Sequence, residues 1–195
     1  MEMKNLMCGD MMVILHMEMQ EGKVRMQRKK FTRGGHGYPA TTATVLRLLH
    51  GAGLSEKNKS AEERVDRVAV GGSWFASVGT ATACMEELGI RFIGNVKTAT
   101  RKMPVAAMKH TLHPTTRGDH IALYNENLKM HAVGWNDHYL KTYISNAYTT
   151  CQGAPAKKKR QRGDGTNYLT DARRPKAIQA YQEVPQNVHY VDLRV

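Results

Sequence analysis

Residues 11–19, MMVILHMEM, place Val13, Leu15, Met17 and Met19 at every second position. That period of two predicts a strand with one strongly apolar face, closed by Gly22. In residues 40–50, ATTATVLRLLH, the spacing changes to that of a helix. Val45, Leu46, Leu48 and Leu49 share one side, with Thr41 or Thr42 placed to cap it and Gly51 to stop it. The polar run GAGLSEKNKSAEER predicts a loop, and VDRVAV, 65–70, a short strand ending at Gly71-Gly72. In SWFASVGTATACMEEL, Trp74, Val78, Ala81, Met85 and Leu88 recur at helical spacing, and Gly89 stands where a C-terminal cap belongs. IRFIGNV, 90–96, is again a strand. Strand, helix and strand over 65–96 imply a right-handed crossover and a parallel strand pair. Residues 119–135 predict a hairpin about Asn125-Glu126-Asn127, and KTYIS, 141–145, another strand. The segment 151–172 reads as irregular and basic. Pro175 then opens a last helix, with Ile178 and Tyr181 on its inner side.

The chain has 195 residues, the length of one domain or of one domain with a tail. It has no stretch of about 18 uncharged apolar residues, so no membrane span is expected. Glu2, Lys4 and Asp10 interrupt the N-terminal methionines, which leaves no signal-peptide core. Cys8, Cys84 and Cys151 lie too far apart in sequence for a paired-cysteine zinc knuckle, and a reducing compartment is the simpler setting.

Charge changes the picture more. Lys and Arg number 29 against 17 Asp and Glu, a net +12, and the isoelectric point is about 9.8. A surplus of that size points to a polyanionic partner, of which nucleic acid is the commonest. The surplus is uneven. Residues 22–33 hold six basic residues and no acid, among them Lys23, Arg25, Arg28, Lys29 and Lys30. A second run, Lys157, Lys158, Lys159, Arg160 and Arg162, is flanked by Pro155 and Gly163. It reads as a nuclear-import signal, a phosphate-binding loop or a solvated surface loop. These ten residues are the candidate nucleic-acid contacts.

Other chemistry is thinner. His110, His113, His120, His131 and His138 cluster in sequence, and His110 with His113 forms HxxH, but no Cys or acid stands at ligand spacing. Trp74, Phe75 and Trp135 read as packing residues before base-stacking ones. Asp66, Asp119 and Asp137 read as turn residues or partners of nearby Arg and His. Asp192 is a remote candidate for a displaced metal ligand.

The words VGGSWFASVGTA, FIGNVKTATRKMP, HAVGWND and YQEVPQNVHY, supported by LHMEMQEGK and ATTATVLRL, resemble the piggyBac family of transposase-derived proteins. The resemblance runs from about Met3 to Tyr190 and implies a DDE transposase domain of RNase H-like fold. That family cuts and joins DNA with three aspartates holding divalent metal, commonly Mg²⁺. The first aspartate lies on a strand upstream of the matching words and is expected to be absent. Asp10 falls on the turn between two matching strands, not in that slot. The slot of the second is Gly72, and that of the third is Asn187. Glycine offers no ligand, and an asparagine offers one neutral oxygen that does not balance the charge of Mg²⁺.

The expectation is therefore an α/β protein: an incomplete RNase H-like mixed sheet flanked by helices, with a basic β-rich insertion-like region. Residues 1–96 form the RNase H-like part lacking its first strand, 97–172 the insertion, and 173–195 the last helical segment. The resemblance implies a nuclear, catalytically dead protein with no cofactor of its own and residual non-specific DNA binding through the phosphate backbone. Two other readings remain: an active nuclease with substitute ligands, and a partner of intact transposases.

Overall fold

The computed structural model describes residues 2–8, 13–21, 23–32, 37–98, 100, 102–113, 115–147 and 152–183. Among them a five-stranded mixed sheet forms the centre, in the order β3-β4-β7-β6-β5. Its strands are β3 (Val68–Gly71), β4 (Arg91–Val96), β5 (His120–Asn125), β6 (Met130–Asn136) and β7 (Leu140–Ser145). β3 and β4 run parallel, with Val68 opposite Arg91 and Gly71 opposite Gly94. Every other pairing in this sheet is antiparallel. The strand–helix–strand unit is thus present as expected, and β5–β7, from the region read as insertion-like, extend the same sheet.

Side-chain alternation gives the sheet two buried faces. Met130 of β6 and Ile144 of β7 join Ala69, Phe92 and Val96 beneath two helices, α2 (Ala40–Gly51) and α3 (Val78–Leu88), which contribute Leu46, Leu49, Ala81, Cys84 and Leu88. A further helix, α4 (Val105–Leu112), buries Val105, Met108 and Leu112. Nothing in the sequence reading foresaw it. On the opposite face, Val133 and Trp135 of β6 and Tyr143 of β7 meet Ile178 and Tyr181 of a last helix, α5, over 176–183. Ile178 is completely buried, as its position after Pro175 implied.

Two features fix the crossover. α3 starts later than its apolar spacing suggested. The Gly72 carbonyl accepts from the N–H groups of Phe75 and Ala76, making a turn, and Ser77 then caps α3 by accepting from the Thr80 N–H at 3.0 Å. Trp74 consequently lies on the turn and is 44% exposed, which corrects its expected place in the core. Phe75, at its edge, does pack against the core. Gly89 ends α3 in the left-handed conformation, with φ +68°. The second feature is glycine packing. A Cβ on Gly94 would sit 2.5 Å from that of Ala76, so this closeness of strand and turn requires glycine.

The other helical expectations need smaller corrections. α2 has Pro39 at its N-cap and no side-chain cap; Thr42 is buried inside it and shares a hydrogen bond with Thr80. Gly51 is its last residue rather than its stop.

A separate hairpin joins β1 (Glu2–Cys8) to β2 (Val13–Gln20). The expected apolar face of β2 points outward: Leu15, Met17 and Met19 are exposed, and Glu18 is buried. The register turns Glu18 toward α2, where Arg47 donates to both of its carboxylate oxygens at 2.8 Å. A doubly hydrogen-bonded guanidinium compensates that burial. Asp10 and Gly22 lie outside the described residues.

Residues 151–172 hold the largest departure. Instead of an irregular loop, β8 (Ala156–Gln161) and β9 (Asn167–Ala172) form an antiparallel ribbon. The AKKKRQ sequence lacks apolar alternation, so its strand character comes from cross-strand pairing, including Lys157 to Asp171 at 2.7 Å.

Candidate nucleic-acid interface

The carboxyl ends of parallel β3 and β4 open onto a cleft of about 1130 Å³. Crevices at that end of a sheet are the usual ligand sites of open α/β folds. Ser73, next to Gly72, lines it, as do Asn95–Thr98 at the end of β4 and Tyr139–Tyr143 at the start of β7. Its far wall is Pro155–Lys158 and Arg174, with Tyr181 and Gln182 of α5. Five cations, Lys97, Lys141, Lys157, Lys158 and Arg174, therefore face one space. None of the lining side chains among the described residues is a carboxylate.

Asp137, in the turn between β6 and β7, organises this wall. It is 7% exposed and receives Arg117 at 2.6 Å, Lys141 at 2.8 Å and Lys158 at 3.2 Å. Burial raises its pKa, but hydrogen bonds from Lys141 and Arg117 and the nearby Lys158 charge outweigh that and hold it well below the usual carboxylate range. One carboxylate thus gathers cations from the α4–β5 connection, β7 and β8. Beneath them lies Trp135, fully buried as expected. Lys158 and Lys141 stand 4.9 Å and 5.8 Å from the centre of its ring, and its indole N–H donates to the Arg173 carbonyl at 2.9 Å. Lys141 also lies 5.5 Å from the ring centre of Tyr139.

β8 is the wall between two basic hollows. Lys157 and Lys158 face the large cleft. Lys159 and Arg160 line a smaller one of about 730 Å³ with Arg117, Asp137 and His138. At the ribbon's tip Arg162 lies 5.2 Å from the Tyr168 ring centre. The second candidate run therefore sits on a strand from Lys157 to Arg160, with Arg162 just beyond it, and the structure gathers Lys157 and Lys158 with Lys97, Lys141 and Arg174. Sequence reasoning missed those three because they lie on separate elements with no local signal.

The first candidate run goes elsewhere. Lys23 and Arg25 lie on α1 (Lys23–Gln27), which buries no residue, and Arg28 is exposed after it. Carboxylates already engage part of this run: Arg25 pairs with Glu21 at 3.6 Å, and Lys29 with Glu21 at 3.1 Å and Glu18 at 3.8 Å. The Lys29 contact is the main cause lowering the Glu21 pKa. Lys30 shares a hydrogen bond with His50.

Gly72 has open space where a Cβ would be, but no ligand atom. Asn187 and Asp192 lie outside the described residues. Among the described residues no three His, Cys, Asp or Glu side chains converge. His110 and His113 are both exposed, at the end of α4 and just beyond it. His131 instead stacks near Tyr124, with ring centres 4.7 Å apart.

Among the described residues no helix is long and apolar enough to cross a membrane. A family model described as Transposase IS4 matches residues 2–194. No curated protein and no solved structure matches the chain.

Proposed function

For a chain that belongs to the Transposase IS4 family, a DDE transposase family, over residues 2–194, we propose a DNA-binding role without strand cleavage. The observation that carries it is the cleft beside Gly72, with five cations and no carboxylate among its described lining residues. Metal-dependent phosphoryl transfer needs converging carboxylates to neutralise its cations. A cleft lined by Lys and Arg repels those cations and attracts phosphates instead. The finer reading is a piggyBac-like copy with an incomplete RNase H-like sheet and a basic insertion, acting in the nucleus.

The contacts are to phosphate, so binding is sequence-independent and salt-sensitive. Asp137, Asp171 and Glu183 already pair with part of the cleft's charge. Lys97 has no ion-pair partner among the described residues, and Lys159, Arg160 and Arg162 extend the surface along the ribbon. About five neutralised phosphates give a log K against log salt slope of roughly −4 to −5, with a dissociation constant on the order of 10⁻⁴–10⁻⁶ M near physiological salt.

Fluorescence anisotropy on two unrelated duplexes over a salt series tests this. Changing Lys157, Lys158 and Lys159 to Ala flattens the slope by up to about three and weakens both duplexes alike. Salt-insensitive binding, a preference above about a hundredfold for one duplex, or no binding at low salt overturns the reading. Mg²⁺-dependent products that vanish with EDTA, on DNA with family-like ends, overturn its non-cleaving part.

A further inference from the structure

The same cleft carries an aromatic that neither the fold nor phosphate binding uses. Tyr139 lines it and is 68% exposed, although a tyrosine ring is a large apolar surface to leave in water. Its backbone is fixed. The turn from Asn136 to Leu140 is closed by ladder pairing of those two residues, and the Asp137 N–H donates to the Tyr139 carbonyl at 3.3 Å. The Lys141 ammonium, itself held by Asp137, stands 5.5 Å from the ring centre. An exposed ring on a fixed turn thus lines a cationic cleft, with Lys97 and Lys157 on the same lining.

Resting on the phosphate-binding reading above, we propose that this cleft takes an unpaired stretch of DNA, with one base stacked on Tyr139 and the flanking phosphates on the surrounding lysines. Aromatic platforms set in basic grooves bind single strands in this way, because every base offers a π-face whatever its sequence. A duplex covers those faces, and presenting one requires unstacking it at a cost of a few kcal/mol. At about 1130 Å³ the cleft is somewhat larger than the hollows that hold small-molecule ligands.

The test compares a fluorescein-labelled short oligothymidylate with a duplex of the same length, by anisotropy at fixed salt. The expected result is tighter binding of the single strand, by about fivefold or more. Tyr139→Ala abolishes that preference and leaves the salt slope unchanged, since no cation is lost. Tyr139→Phe, which keeps the ring, retains it. The exposure of Tyr139 makes both variants compatible with folding, and a thermal melt of each verifies this. Equal affinity for the two DNAs, unaltered by Tyr139→Ala, overturns the stacking proposal and leaves phosphate binding standing. Tyr139→Phe as damaging as Tyr139→Ala overturns it in favour of a hydroxyl contact. Failure of the wild-type protein to bind either DNA overturns both readings.

Discussion

Replacing Asp137 with Asn should make the protein less stable and a better DNA binder. The carboxylate is the shared anion of Arg117, Lys141 and Lys158, whose side chains are 13%, 25% and 19% exposed. Removing one member of a buried ion cluster costs about 3–5 kcal/mol, because the other charges stay behind unpaired. Here the cations reach some solvent, which screens part of that loss, so the expected destabilisation is about 2–3 kcal/mol. For a chain of this length that is a fall in Tm of roughly 5–10 °C. The pH dependence has a definite sign. The folded pKa of Asp137 is depressed, so its stabilisation is complete above the unfolded value of about 3.9 and is lost progressively as pH falls from there toward the lower folded value. Asp137→Asn removes this component of acid sensitivity. At neutral pH the variant also gains one net positive charge in the cleft wall, so the salt slope for DNA should steepen by up to about 0.9. Urea unfolding at pH 7 and at about pH 2.5, with anisotropy titrations at pH 7 on the same preparations, measures all three effects. A stability change below about 0.5 kcal/mol, or weaker DNA binding by a folded variant, refutes the view of Asp137 as the clasp of the basic wall.

Two other outcomes follow from separate features. Gly94→Ala places a Cβ 2.5 Å from Ala76 Cβ and 2.9 Å from the Gly71 carbonyl, an overpacking worth about 2–3 kcal/mol. Gly72→Ala, with nothing within 4 Å, should stay within about 0.5 kcal/mol of wild type; equal denaturation midpoints for the two variants contradict the packing argument. A fluorescent fusion of residues 150–166 should accumulate in nuclei and lose this when Lys158 and Lys159 become Ala. Equal nuclear and cytoplasmic signal from the unmodified fusion rules out an import signal there.

How much was legible in the sequence depended on the range of the interactions concerned. The βαβ unit was readable because Val68 and Val70, the apolar face of α3 and Gly89 carry local signals of period and capping. The start of α3 was not, because Trp74 continues the apolar spacing while the Gly72 carbonyl and the Ser77 hydroxyl set the boundary. The apolar alternation of β2 identified a strand but not its direction of burial, which the Glu18–Arg47 contact across 29 residues decides. The ribbon was missed because Lys157 and Lys158 are held by Asp171 and Asp137, partners that no local pattern reveals. Of the cleft's cations, only Lys157 and Lys158 of β8 could be named beforehand. Lys97 and Lys141 converge through sheet order, which places β7 beside β4 although β5 and β6 lie between them in the chain.

The second buried face of the sheet also sets an order of events during synthesis. Val133, Trp135 and Tyr143 are made well before Ile178, their cover from α5. Trp135 precedes Ile178 by 43 residues, which is roughly 2–9 s of elongation at typical rates. In that interval the growing chain carries an indole and a phenol ring without their apolar lid, and the indole N–H lacks the Arg173 carbonyl that later receives it. Uncovered surface of this kind invites association with other chains. A pause in translation between codons 145 and 175 should therefore lower soluble yield, whereas one upstream of codon 130 should not.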